Sequence, residues 1–198
     1  MKPIRVAFSG SGFKVPAHAG ALQAIFDAGY KPIELAGTSG GSICAALYAS
    51  GMSLSDMKTL ALTHDWSNMM CFSPLAALRI QGFCDGANLL AWMKDRTGGK
   101  TFSQLDVDLT AIASNVANEG AFTFSRAETP DVPIALAVRS STSIPFLFSP
   151  VSIGDALLAD GGMVNNIPVD RLKIDDVPRL GVQLVSMDLP LRPKKFIW

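Results

Sequence analysis

The sequence predicts an α/β domain in which a mostly parallel sheet is covered by helices, and three observations predict it. Short apolar runs alternate with stripes of apolar residues at helical spacing along the first third of the chain. Glycine-rich turns stand where those runs give way to the stripes. Strand–helix–strand–helix order with connections this short needs parallel strands with crossover helices.

Ile4–Phe8 is the first strand, broken by Ser9-Gly10-Ser11-Gly12. Val15, Ala19, Leu22, Ile25 and Phe26 mark one face of a helix that Gly29 stops. Ile33–Ala36 is a second strand, and after Gly37-Thr38-Ser39-Gly40-Gly41 a second helical stripe (Ile43, Ala46, Leu47, Ser50) runs to Gly51. Helices follow at Leu54–His64, Pro74–Arg79 and Ala87–Arg96. Leu109–Val116 and Ala121–Phe124 form two strands around Asn118-Glu119-Gly120, and Ile134–Ser140 is a helix. An apolar segment punctuated by prolines, Ile144–Val151, precedes late strands at Ala156–Ala159 and Leu180–Val185. No repeat, linker or low-complexity block interrupts the pattern, so residues 1–198 are expected to form a single domain.

Composition narrows the function. The 198 residues carry 17 basic and 17 acidic side chains, a formal net charge of zero, with 48% hydrophobic and 17% charged residues. That excludes disorder and argues against nucleic acid as a partner. Two histidines make a multi-histidine metal site and a Ser-His-Asp triad poor expectations. Cys44, Cys71 and Cys84 are odd in number and lack a C-x-x-C, so the chain fits a reducing, cytoplasmic compartment. The N-terminal apolar run is too short for a signal peptide. Leu35–Ser55 is free of charge over 21 residues, but four glycines and six serines or threonines make it a buried strand–turn–helix, not a membrane span.

The strongest local signal is Gly37-x-Ser39-x-Gly41 between a strand and a helix. A nucleophilic serine on such a turn sits in a strained conformation and needs small residues two positions away. A glycine-rich turn that merely packs helix against sheet is the competing reading. Gly10-Ser11-Gly12-Phe13-Lys14 also joins a strand to a helix, but Val15 stands where a dinucleotide fingerprint needs its third glycine, and Glu34 lies at the wrong end of its strand. No P-loop is present. What remains is a row of amides at a helix N-terminus, with Lys14 beside it, suited to an anion or an oxyanion. His64 is expected on the solvated side of its helix, and His18 in a structural role. Asp160-Gly161-Gly162, at the end of Ala156–Ala159, reads by itself as an ordinary turn.

Together these loops resemble, in order, three signatures of the patatin-like phospholipases. The matches are Ser9-Gly10-Ser11-Gly12-Phe13-Lys14, Gly37-Thr38-Ser39-Gly40-Gly41 and Asp160-Gly161-Gly162. Arg139–Pro145 with Phe148–Val151 resembles the segment before the family's aspartate, and Asn165–Val169 its continuation. The resemblance spans roughly residues 4–187. It implies a three-layer α/β sandwich and a serine lipid acyl hydrolase of phospholipase A, lysophospholipase or esterase type. Ser39 would be the nucleophile and Asp160 the general base, with an acyl-enzyme intermediate and neither cofactor nor metal. By position, the amides of Gly10, Ser11 and Gly12 would hold the oxyanion, and Lys14 would stand at the family's basic substrate-binding position. Ser11 and Val15 depart from glycines of the family loop, a change that would tune substrate choice. The chain ends 36 residues after Gly162, as a compact or truncated member would.

A lipid partner also implies peripheral contact with a membrane or micelle. The uncharged stretch Trp66–Leu78 is a candidate lid or interfacial patch, and Arg192–Trp198 mixes cations with aromatics as interfacial anchors do. The rival functions are an acyltransferase, a nucleotide-binding domain using the Gly10–Gly12 loop, and a lipid-binding relative without hydrolysis.

Overall fold

The computed structural model describes residues 1–66 and 82–185. In chain order these form β1 (Lys2–Phe8), α1 (Val15–Asp27), β2 (Tyr30–Thr38), α2 (Gly40–Ala49), α3 (Leu54–Thr63) and α4 (Ala87–Arg96). Then follow β3 (Asp108–Asn115), β4 (Gly120–Ser125), α5 (Ile134–Ser141), β5 (Val151–Ile153), β6 (Ala156–Asp160) and β7 (Arg179–Val182). The helix expected at Pro74–Arg79 lies outside the described residues. The Ile144–Val151 segment turns and then enters the short strand β5, which its prolines had hidden.

All seven strands join one mixed sheet, ordered β5-β6-β3-β2-β1-β7, with β4 added on β3. β7, β1, β2 and β3 are parallel, whereas β4 and β6 run antiparallel to β3. β5 is antiparallel to β6 and so shares the common direction.

Register explains where the site lies. Thr38, the last residue of β2, pairs with Ile112 of β3. The next residue of β3, Ala113, pairs with Asp160, the last residue of β6. β4 occupies the opposite edge of β3 along Thr110–Asn115, so β2 and β6 share one edge. Running in opposite directions, they meet there end to end. Ser39 and Asp160, 121 positions apart, are thereby set side by side.

The period-2 alternation of the strands divides the core. Val6, Phe8, Leu35, Leu109, Ala111 and Ala113 face the main apolar cluster, with Leu22 and Ile25 of α1, Ile43 and Leu47 of α2, and Ile134 and Val138 of α5. Ala7 and Ala36 point to the other face, where Leu172 and Val169 cover them. There the covering layer includes the chain after Asp160, with short 3-10 turns at Gly161–Met163 and Val169–Arg171. Arg5 fastens that layer down: its buried guanidinium pairs with Glu34 of β2 and with Asp175.

Candidate active site

Ser39 follows β2 and caps α2 with φ 50° and ψ −125°. A non-glycine residue at this φ is strained, and nearby contacts hold it there. Its N–H donates to Ser141 Oγ at 2.8 Å, and Ser141 Oγ in turn donates to Ile112 O at 2.5 Å. Ser42 Oγ donates to Ser39 O at 2.6 Å. The flanking glycines are required by contact: a Cβ on Gly37 would lie 2.7 Å from Ser42 N, and one on Gly41 would clash with Phe8 O at the end of the first strand and Ser9 O just after it.

Ser39 Oγ donates to Asp160 Oδ2 at 2.6 Å. Both residues are buried, Ser39 at 5% and Asp160 at 7% exposure. Asp160 Oδ1 accepts from Gly162 N–H at 2.8 Å, its N–H donates to Ser143 O at 2.9 Å, and its carbonyl accepts from Ser114 Oγ at 2.7 Å. Burial pushes the carboxyl pKa above the usual 3.8, against the opposing pull of the bonds from Ser39 and Gly162.

The loop between β1 and α1 faces the pair. Gly10, Ser11, Gly12, Lys14, Ser39, Asp160 and Asn166 line one polar mouth of about 300 Å³. The structure refines the expected set of amides there. Gly10 N–H donates to Asn166 O at 3.0 Å, so it is spent on the scaffold. Gly12 takes the left-handed conformation, φ 54°, while Ser11 keeps an ordinary negative φ. The serine in place of glycine is therefore tolerated, and the Ser11 and Gly12 amides are the donors left uncommitted among the described residues. Lys14, exposed at the rim, is the residue before α1. His18, on the first turns of α1, is wholly buried and meets Ser9 O through Nε2 at 2.9 Å, which braces the loop from below. Burial lowers its pKa below 6.5.

His64 differs from its expected surface position. It ends α3 half-buried, its ring 5.1 Å from both Trp66 and Trp92, because the chain turns inward after Thr63. Of the Trp66–Leu78 stretch, Trp66 alone is among the described residues, and the Arg192–Trp198 tail lies outside them. Cys44 and Cys84 are buried and not joined in a disulfide, with burial pushing the Cys44 thiol up to about 12. Among the described residues, no group of three or more His, Cys, Asp or Glu could hold a metal ion, and no helix is long and apolar enough to cross a membrane.

Several positioning residues take roles that the sequence does not assign, although Arg139 and Ser141 lie in the Arg139–Pro145 segment that carries part of the resemblance. Ser141 and Ser114 act across the sheet. Arg139, 3% exposed, donates to Ser143 Oγ, Asp85 O and Ser149 O, and lies 5.4 Å over the Phe148 ring. Burial lowers its pKa to about 10. Arg139 thus ties together the loops that flank an open apolar groove of about 530 Å³, rimmed by Phe83, Phe146 and Met163. Phe146 is 85% exposed, at φ 67°.

A strained serine at a strand-to-helix turn, bonded to a buried carboxylate beside uncommitted amides, is the layout of a serine hydrolase on an α/β scaffold. The comparisons with known proteins agree in family. A model of the patatin-like phospholipases matches residues 6–173, and the chain belongs to that family. It is 32% identical over 215 residues to the uncharacterized protein YqhO of Bacillus subtilis, covering 96% of this chain and 74% of that protein. An uncharacterized NTE family protein of Mycobacterium tuberculosis is 26% identical over 171 residues, with 84% of this chain but 44% of the relative covered. Among solved structures, VipD from Legionella pneumophila superimposes with a TM-score of 0.65 at 17% identity, over 90% of this chain and 49% of that one. ExoU of Pseudomonas aeruginosa, in its complex with SpcU, gives 0.53 at 23% identity, over 90% and 43%. The chain thus spans about half the length of these structural neighbours.

Proposed function

We propose that this protein is a serine lipid acyl hydrolase that works through Ser39 and Asp160 without a histidine. The observation that carries the reading is the 2.6 Å bond from Ser39 Oγ to Asp160 Oδ2 at a strained turn. Ser39 Oγ attacks the ester carbonyl carbon while its proton passes to Asp160 Oδ2. The carbonyl oxygen becomes an oxyanion, held by the Ser11 and Gly12 amides and favoured by the α2 N-terminus. Collapse expels the alcohol, which takes the proton from Asp160 and leaves an acyl-Ser39 ester. Water then repeats the sequence, its proton going to Asp160 and from there to Ser39 Oγ as the acid is released.

A carboxylate at an ordinary pKa is a weak base near neutrality, so the raised pKa of Asp160 supports the role. Lys14 and Asn166, at the open rim of the mouth, are placed to meet the polar part of the substrate. The exposed aromatics of the apolar groove support peripheral contact with lipid. The test is turnover of an aryl acetate and of dibutyroyl phosphatidylcholine by wild type, Ser39→Ala and Asp160→Asn. Both substitutions should lower kcat by about 10³-fold or more. Retention of wild-type turnover by Ser39→Ala would refute the reading.

A further inference from the structure

A narrow apolar slot opens beside the nucleophile, and its end wall belongs to a second void as well. Ser39 and Gly12 bound the slot at the reacting end, and Ile43, Leu89 and Phe148 line it. The second void lies between α1, α2 and α3, among Cys44, Leu47, Met57 and Leu60. Val15 and Trp66 line both spaces and form the partition between them. Both are held firmly. Val15 is 3% exposed on the first turn of α1. Trp66 packs against His64 and Trp92, with ring centres at 5.1 and 5.9 Å.

We propose that the slot receives the acyl chain of the scissile ester and that Val15 and Trp66 limit its length, so that short acyl groups are preferred. This rests on the Ser39 hydrolase reading above and names its substrate. The slot holds about 30 Å³, about two to three times what one water molecule requires. The void beyond adds about 10 Å³. An ester with a short acyl group fits with its carbonyl at Ser39, and the rest of the molecule, however long, leaves through the polar mouth or along the open groove. A long acyl chain must displace a buried valine or a tryptophan braced by two rings, and close-packed cores resist that. The open groove does not substitute for the slot, because Phe148 separates the two and Ser39 does not line the groove.

The experiment measures kcat/KM for p-nitrophenyl acetate, butyrate, octanoate and palmitate with the full chain. Wild type, Val15→Ala and the double variant Val15→Ala with Ala61→Leu are compared, and fluorophosphonate labelling of Ser39 is followed in parallel. Wild type should be fastest on acetate or butyrate and about tenfold or more slower on octanoate. Each methylene newly accommodated is worth about fourfold, so Val15→Ala should raise the octanoate-to-acetate ratio about tenfold. Ala61 lines the second void, so the larger side chain that Ala61→Leu introduces refills it and should bring the ratio back. A wild-type profile that is flat or rises to octanoate overturns the length limit, whatever the variants do. So does an unchanged ratio in a folded Val15→Ala protein that still labels at Ser39. Absence of both labelling and turnover in wild type overturns the hydrolase reading instead.

Discussion

Ser39 holds a backbone conformation that costs about 1–3 kcal/mol, and its N–H bond to Ser141 Oγ is part of what keeps it there. Ser141→Ala removes that acceptor and leaves Ile112 O without its donor. Loss of one such buried bond is worth about 1–3 kcal/mol. We therefore expect kcat for an aryl ester to fall about tenfold or more, with KM little changed. A wild-type kcat would show that the turn holds itself. Asp160 gives a prediction of opposite sign for stability and activity. Its folded pKa lies above 3.8, so the protonated form is the one favoured by folding. That contribution is complete below 3.8 and is lost as pH rises through the folded value. Asp160→Asn should therefore melt higher than wild type at pH 7 while losing turnover, and the gap should close in acid. The acid limb of the wild-type kcat/KM profile should fall above 3.8, at the pH where Asp160 becomes a base.

At the scale of elements, α1 and the loop before it work as one part. The Ser9–Lys14 segment presents the amides, and His18 supports it through Ser9 O. Burial keeps the imidazole neutral, with its pKa below 6.5. The stability this gives is complete above 6.5 and is lost as pH falls through the lowered value. His18→Phe keeps a ring against Phe8 but removes both the bond and the titration. Its melting temperature should change less than that of wild type between pH 7 and pH 5, and its kcat should drop several-fold. A parallel pH dependence in the two proteins would place the titration elsewhere. This element also marks what the sequence could tell. The β1–α1–β2–α2 order was legible because each piece is local: period-2 strands, a 3.6-residue stripe, glycine at each stop. Ser39 was legible for the same reason. Asp160 became a candidate through resemblance alone, since Asp-Gly after a strand is also a common turn. Ser141 and Arg139 fall within the Arg139–Pro145 segment of the resemblance, but their roles were not legible, because Ser39, Ile112 and Asp85, which they hold, lie far from them in sequence. His64 departs from the surface position its helix stripe implies, because a stripe does not report which way the chain turns after its last residue.

For the molecule as a whole, two features decide how it would meet a lipid. The formal charge is zero, so long-range attraction to an anionic surface is weak. Among the described residues, those lining the apolar groove rimmed by Phe83, Phe146 and Met163 are uncharged, which suits a neutral surface. Phe146 combines 85% exposure with φ 67°, where glycine is at ease. Phe146→Gly should stabilise the fold by about 1 kcal/mol through relief of strain, yet weaken flotation with phosphatidylcholine vesicles. Unaltered flotation would assign lipid contact to another surface. The same scale accounts for the site itself: β2 and β6 end at adjacent residues of β3, and the sheet alone brings the two side chains together.

The most direct test of that arrangement is the mass of the intact protein after brief exposure to a fluorophosphonate at pH 7. A single adduct should form on wild type and map to Ser39. Ser39→Ala should remain unmodified, and Asp160→Asn should label far more slowly despite its higher melting temperature. Equal labelling of wild type and Ser39→Ala, or of wild type and Asp160→Asn, would contradict the account.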